Sequence, residues 1–409
     1  MLSCPTMREP RIRRRPRGRT PFSAVIFEGQ FRLGEELRRR RFEASAIEHI
    51  LETGYCLKDV VSPLTGLAEP CVCDGFYGSL WWRGRMPVDG FCASLISGRA
   101  EHAPRWNPPL YRVHSLAEAI DVVRHGRHAP YYESGRLCFR GQTQPYSTQR
   151  LVPNPYLADD RGSEQTIIAA FWRKYWRNWN RRPIWGYQSA LFPAFTDRFV
   201  NYAVDVDALA KRHAAMGFTG IVSELQDSPF PEDREYHRRW WANHVAGADS
   251  QDYPLIEQHY GMSTTGLDVT FDLATAFFFA ANRFTKKRGK ADYQPIEGPH
   301  EGVVYCMVLP EGFRKTSDQV KSIPAFDHLN PLRPLRQQCA LPSFAAHNFN
   351  EGVGHLDAIL YLEPDCTLQG LPDKNWLFPD PSQDQLYGLL LQLRKEHPSY
   401  FREIVEYRF

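Results

Sequence analysis

Three apolar runs constrain the fold of this chain more than any other feature. Residues 273–282 form a run of helical length, whereas residues 302–309 and 355–362 have the shorter length of strands. Each run is apolar on nearly every face, so other elements must cover it. Because helices and strands do not alternate strictly along the chain, they indicate an α+β domain with a mixed sheet core and flanking helices.

The composition favours a soluble protein of a reducing compartment. The best uncharged apolar stretch, residues 273–281, is far shorter than the ~20 residues that a membrane-spanning helix needs. The N-terminal arginines are not followed by the apolar segment of a secretory signal. The nine cysteines are an odd number and are irregularly spaced, unlike a disulfide framework. We therefore expect a cytoplasmic location, reduced thiols and no membrane partner.

Four of the cysteines have to be considered as a possible zinc site. Cys56, Cys71, Cys73 and Cys92 would supply four thiolates, the ligand set of structural zinc. However, the Cys71–Cys73 pair lacks the usual two-residue spacer of such sites. We interpret these residues as ordinary core or surface cysteines, and we expect no metal in the protein.

The positive charge is concentrated at the N-terminus. Residues 1–22 hold seven arginines and one glutamate, a net of +6, so the remainder of this chain of net charge +3 carries −3. We predict that residues 1–22 form a disordered, Arg-rich tail, which could pair with nucleic acid or an acidic partner. The body of the protein does not have the charge of a basic nucleic-acid platform.

The pattern of turns and helix signals divides the rest of the chain. Residues 23–108 form an N-terminal accessory region, 109–398 the main domain, and 399–409 a C-terminal extension. Apolar spacing predicts helices over 31–53, 164–179 and 383–397. Ser115 and Glu118 have the spacing of a capping box, which predicts a helix start there.

The first polar motif of the main domain is Arg140-Gly141-Gln142, at the end of a short apolar strand that begins at Leu137. An arginine at a strand end, next to a glycine that lets the backbone come close, is suited to binding a phosphate or carboxylate with its two-pronged guanidinium. The same residue could equally be a structural arginine paired with an internal carboxylate.

A second polar motif, residues 258–268, leads directly into the apolar helix. So many hydrogen-bonding side chains are costly to bury unless each has a partner, so the motif either lines a pocket or forms a network at the helix entry. Alone, His259 would be a structural histidine or a base, and Asp268 and Thr270 would be helix caps. A third motif, residues 333–339, is by itself an ordinary polar loop.

Together the three motifs resemble the FRG family, named for the triplet seen here as Phe139-Arg140-Gly141. In order, the matching strings are Leu137 to Gln142, then Gln258-His259-Tyr260-Gly261 with Leu267-Asp268 and Thr270 before the helix, then Arg333 with Gln337-Gln338. The resemblance covers about 290 of the 409 residues. The sequence departs from the family at Ser263-Thr264-Thr265, at Val269, at Cys339 and in a long insertion between Phe139 and Gln258.

The layout of that family is similar to the ADP-ribosyltransferase superfamily, which implies an ADP-ribosyltransferase-like fold and NAD as the substrate. In this scheme Arg140 holds the NAD phosphates or ribose, His259 bonds a ribose hydroxyl, and Ser263 and Thr264 order the nicotinamide half. Gln338 lies nearest to the position of the superfamily's catalytic glutamate, and Glu351 is the closest acid. The remaining residues expected to bind the cofactor are Gln142, Tyr260 and Asp268.

The resemblance implies an NAD-dependent transferase or NAD glycohydrolase, of the kind found in toxins and phage-defence effectors, acting on an unknown macromolecular target. Two other functions remain open. The domain could be a non-catalytic nucleotide-sensing or interaction module, or a phosphoester enzyme that uses His259 and Asp268. A cleft shared by Arg140, His259, Ser263 and a carboxylate would favour the NAD-binding function.

Overall fold

The computed structural model describes most of the chain outside the long central insertion. The described residues are 21–61, 66–77, 85–97, 108–169, 258–261, 267–299, 301–309, 329–340 and 350–407. The predicted tail falls outside them up to residue 20, while its last two residues already belong to the first helix. Within these ranges, no helix combines the length and the apolar character needed to cross a membrane.

The described strands form four sheets, of which the largest has six strands in the order β12-β8-β5-β11-β13-β4. The smaller sheets have the orders β1-β2-β3, β14-β10-β9 and β6-β7. The strands are β1 Tyr55–Val61, β2 Ala68–Asp74, β3 Arg85–Pro87, β4 Leu110–Ser115, β5 Leu137–Gln142, β6 Ser147–Gln149, β7 Ser163–Gln165, β8 Val269–Thr270, β9 Asn282–Lys287, β10 Lys290–Pro295, β11 Val303–Val308, β12 Cys339–Ala340, β13 Leu356–Thr367 and β14 Glu406–Tyr407.

The described helices pack around these sheets. They are α1 Pro21–Arg39, α2 Ala44–Glu52, α3 Val88–Ser97, α4 Leu116–Arg124, α5 Ala129–Glu133, α6 Leu273–Ala281, α7 Leu332–Arg336, α8 Glu351–Gly354, α9 Lys374–Leu377, α10 Gln385–Glu396 and α11 Pro398–Phe401, with a 3₁₀ turn at Gly126–His128. Ser115 caps α4 by accepting a hydrogen bond from the backbone N of Glu118, as the capping box predicts.

The six-stranded sheet is mixed and is buried on both faces at its centre. β11 pairs antiparallel with β5 and β13, whereas β13 pairs parallel with β4. Successive residues of β11 enter opposite cores: Tyr305 and Met307 pack on one face, and Val304 and Cys306 on the other. This arrangement confirms the α+β class and explains why the strand is apolar on both sides.

Helix α6 is the second buried element that the sequence predicts, but it begins later than expected. Thr270 belongs to β8, and Asp272 is the N-cap, with its carboxylate accepting from the backbone N of Ala274 and Thr275. The helix lies directly against β5, because a Cβ atom on Gly141 would be only 2.8 Å from the backbone N of Ala280. Gly141 therefore sets the distance between helix and sheet.

The N-terminal region departs from its predicted helix pattern. The single helix expected over 31–53 is two helices, because the chain turns at Arg41, whose φ is 63°. α1 and α2 pack on the sheet β1-β2-β3 around a core that includes Leu33, Ile47 and Val72.

Cys56 and Cys73 face each other across β1 and β2 without forming a disulfide, and burial raises the pKa of the Cys56 thiol to about 11.

Two further predictions need correction. The helix expected over 164–179 begins instead as the short strand β7, followed by irregular chain to residue 169, and the rest of it lies outside the described ranges. The expected C-terminal extension belongs to the main domain. β14 pairs with β10, and Phe401, Ile404 and Val405 are buried, so the apolar residues after 398 complete the core.

Candidate functional site

A cavity of about 830 Å³ lies beside the six-stranded sheet, where β5, β8 and β12 meet the residues that follow α6. We call it the Arg140 cavity. Residues of all three polar motifs line it, together with aromatic and acidic residues from β10 and the loop after it. Those used below are Arg140, Gln142, Asp268, Phe279, Tyr293, Glu297, Glu301, Gln337 and Cys339.

Arg140 occupies the cavity-facing part of β5. It pairs with Tyr305 in the ladder to β11, so that strand fixes its backbone. Its Nη1 donates a hydrogen bond to the main-chain carbonyl oxygen of Asp268, and the side chain is half-buried. The guanidinium is therefore held at the cavity wall, in a position from which it can bind an anion.

Gln142 is the most unusual polar residue of the cavity. Only 6% of the residue is exposed, and within the described ranges neither its amide nitrogen nor its amide oxygen has a hydrogen-bond partner. A buried polar group without a partner costs about 1–3 kcal/mol. A ligand in the Arg140 cavity could supply the missing partners, because Gln142 lines that cavity.

His259 lies behind Asp268 and Cys339, which both line the cavity. Its Nε2 is 3.6 Å from Oδ1 of Asp268, and its Nδ1 is 3.7 Å from Sγ of Cys339. The side chain of His259 is 1% exposed, whereas that of Asp268 is 28% exposed. Arg140 and His259 thus contact the same residue, as expected if the motifs form one site.

The ladder between β8 and β12 holds this group together. Cys339 pairs with Thr270, and the Thr270 hydroxyl donates to the carbonyl oxygen of Gln337 at 2.6 Å. The backbone N of Phe271 donates to the carbonyl oxygen of Gln338 at 2.9 Å. The third motif, which is weak in sequence, is therefore joined by its backbone to the second.

Arg333 lies in a cage of aromatic rings and contacts the backbone of His259. Arg333 is fully buried, with its guanidinium 3.7 Å from the ring centre of Tyr387 and 4.3 Å from that of Tyr407. Its Nη1 donates to the carbonyl oxygen of His259 at 3.3 Å. Cation–π contacts of this kind are stronger when desolvated, so the cage fixes the backbone at His259.

Tyr260 belongs to this cage rather than to the cavity. It is fully buried, and its hydroxyl donates to Oδ2 of Asp384 at 2.6 Å. Burial raises the pKa of Asp384, and hydrogen bonds from Tyr260 and backbone amides oppose that rise. The prediction that Tyr260 binds a cofactor is corrected: the cavity-lining residues do not include it, and its hydroxyl is used in the core.

Gln338 also lies away from the predicted position. It is exposed and has a φ of 45°, so its side chain leaves the wall to which its neighbours contribute. Gln337 and Cys339, on either side, line the cavity instead. Ser263 and Thr264 lie outside the described residues, as does the side chain of Glu351. The acidic residues that line the cavity with Arg140 are instead Asp268, Glu297 and Glu301.

The structure therefore brings together Arg140, Gln142, His259 and Asp268 from the predicted set and adds Cys339. The sequence signal for Cys339 was its departure from the glycine typical of the resembled family at that place. Comparison of the chain with protein-family models, with curated proteins and with solved structures returned no match.

Proposed function

We propose that the Arg140 cavity binds NAD and that the protein is an ADP-ribosyltransferase-like enzyme. One observation carries this proposal: a half-buried arginine and a buried glutamine amide, which has no hydrogen-bond partner among the described residues, line the same cavity of about 830 Å³. Cofactor pockets usually measure ~300–1,000 Å³. The resemblance of these residues to the FRG family, and through it to ADP-ribosyltransferases, supports the choice of NAD among dinucleotides.

Each wall of the cavity has a part of NAD that it suits. The Arg140 guanidinium matches the pyrophosphate, because its fork can donate to two oxygens at once. The Gln142 amide offers one acceptor and two donors, which complement the carboxamide of nicotinamide. Phe279 and Tyr293 present aromatic rings to the same space, on which a planar base can stack.

The chemistry is cleavage of the bond between the nicotinamide nitrogen and C1 of ribose. The bonding electron pair leaves with nicotinamide, and the sugar becomes a cation that water or a nucleophile of a macromolecular target attacks, with loss of one proton. Carboxylates stabilise such a cation best when they are already in place. Glu297 and Glu301 line the cavity with Asp268, so we propose these carboxylates for the role in place of Gln338, whose neutral amide stabilises positive charge poorly. A toxin or phage-defence effector could use this reaction.

Calorimetry with NAD and a nicotinamide-release assay on the same purified sample test the proposal. Binding together with release supports an enzyme. Binding without release would favour the nucleotide-sensing module, and the absence of binding to any nicotinamide or adenine nucleotide would contradict both.

A further inference from the structure

Three metal-ligating side chains meet at the wall of the Arg140 cavity. One ligand atom from each of His259, Asp268 and Cys339 lies within 4.8 Å of the other two. Within the described part of the chain, no other group of three or more His, Cys, Asp or Glu residues meets this distance. The residues come from two separate motifs, which β8 and β12 bring together.

The geometry distinguishes a metal site from a catalytic relay. In a thiol–imidazole–carboxylate relay, the thiol and the carboxylate lie at opposite ends of the imidazole ring. Here the sulfur is near Nδ1 and the carboxylate oxygen is near Nε2, but the ligand atoms of Cys339 and Asp268 also lie within 4.8 Å of each other. The sulfur and the oxygen therefore do not lie at opposite ends of the ring, and one ring nitrogen lies within 4.8 Å of both.

The donor set indicates which cation the group suits. Zinc binds thiolate, imidazole and carboxylate at about 2.0–2.3 Å, so ligand atoms that now lie within 4.8 Å of one another must close to separations of about 3.5 Å around it. Hard cations such as Mg²⁺ avoid sulfur and favour oxygen ligands. Catalytic zinc sites have three protein ligands and keep one position for water or substrate.

We propose that His259, Asp268 and Cys339 bind a zinc-type divalent cation whose fourth position opens into the Arg140 cavity. His259 is buried behind the other two, while Asp268 and Cys339 line the cavity, so an added cation would face the ligand space. This site goes beyond the proposed reaction with NAD and does not depend on it.

The surroundings already hold the three ligands in place. Arg333 donates to the carbonyl oxygen of His259, Cys339 is in a ladder with Thr270, and the Asp268 carbonyl accepts from Arg140. Such supporting contacts are a regular part of metal sites, and losing one costs about 10–100-fold in metal affinity. The ligands are thus fixed by backbone contacts from three directions.

The test uses the full chain, stripped with a chelator and then titrated with Zn²⁺ by calorimetry and with Co²⁺ by absorption spectroscopy. The wild-type protein should bind one equivalent of either metal, and the Co²⁺ form should show the charge-transfer band of a thiolate ligand. Cys339→Ser should remove that band. His259→Ala, Asp268→Asn and Cys339→Ser should each weaken Zn²⁺ binding by at least about tenfold.

Cys366→Ser and His114→Ala are the matched controls, because Cys366 is a buried cysteine outside the group and His114 is an exposed histidine. Both should bind Zn²⁺ like the wild type. The proposal is overturned if the wild-type protein binds no stoichiometric Zn²⁺, or if its Co²⁺ form lacks the thiolate band. Both outcomes are read on the unmodified protein, so neither depends on the variants folding.

Discussion

Gly141 lies so close to Ala276 that a Cβ atom at position 141 would overlap the carbonyl oxygen of Ala276. The contact joins the strand that carries Arg140 to the most apolar of the described helices. The glycine between Arg140 and Gln142 is thus required by packing, whatever ligand its neighbours bind.

We predict that Gly141→Ala lowers the free energy of unfolding by about 3 kcal/mol, the upper part of the range for overpacking, because helix and strand backbones must separate to accept the methyl group. Gly34→Ala is the control. Its Cβ would meet only Leu51 at 3.4 Å and Ile47 at 4.0 Å, and alanine favours the helix by up to ~1 kcal/mol. Urea unfolding measures both, and equal effects of the two variants would refute the packing role of Gly141.

Gln142→Leu should change stability and binding in opposite directions. Leucine removes a buried amide that lacks partners in the described structure, so the ligand-free protein should become more stable by about 1 kcal/mol or more. The same change removes the donors and the acceptor proposed for the nicotinamide carboxamide, so NAD affinity should fall at least tenfold. Thermal unfolding without ligand and calorimetry with NAD give the two values. A loss of stability with unchanged affinity would show that Gln142 serves the fold alone.

Arg140 variants test the pyrophosphate contact. Arg140→Ala should reduce NAD affinity by at least tenfold, since hydrogen bonds to charged groups contribute about 1.5–3 kcal/mol, and should abolish nicotinamide release. Arg140→Lys should also have reduced NAD affinity and nicotinamide release, because an ammonium cannot reproduce the two-pronged contact. Arg112→Ala is the control, as Arg112 is exposed on β4 and pairs with Glu363. Full activity in Arg140→Ala would exclude this residue from the site.

A pH dependence follows from Asp357. Burial works to raise the pKa of Asp357, but the hydrogen bond and charge of His128, together with Arg127, outweigh it and lower the pKa. A depressed pKa in the folded state stabilises the protein above the unfolded pKa, and this contribution is lost as pH falls through the folded pKa.

The wild type should therefore be more stable than Asp357→Asn above the ordinary aspartate pKa of ~3.9, and the difference should shrink as the pH falls below it. Asp365→Asn is the control, because Asp365 is 78% exposed beside His114 and exposed pairs contribute little. Urea unfolding at a series of pH values gives the difference. A difference that grew toward acid pH would contradict the assignment.

The elements with the strongest periodic or apolar patterns were predictable from sequence. Strands β11 and β13 and helix α6 could be predicted because their apolar runs must be buried, and this requirement does not depend on contacts with distant parts of the chain. The sequence pattern placed Arg140 just after a short apolar strand, but β5 continues through Gly141 to Gln142, so Arg140 lies within the strand.

What sequence could not predict depends on local backbone geometry and long-range contacts. The positive φ of Gln338 turns its side chain to solvent and leaves Gln337 and Cys339 at the cavity. Tyr260 is drawn into the core by Asp384, which is 124 residues away in the chain. The local sequence around Gln338 and Tyr260 does not show that their side chains point away from the cavity. The order of the motifs was therefore the basis for predicting both as site residues.

The buried charges of Asp74, Arg150 and Glu164 have a consequence for how the chain can be divided. Arg150 donates to the carboxylates of both Asp74 and Glu164, and all three side chains are at most 1% exposed. Asp74 belongs to the N-terminal sheet, while Arg150 and Glu164 belong to the main domain. A cut between residues 97 and 108 would place Asp74 and Arg150 on different fragments, and breaking a buried ion pair costs about 3–5 kcal/mol. Truncation near residue 108 would thus separate two halves of one electrostatic unit.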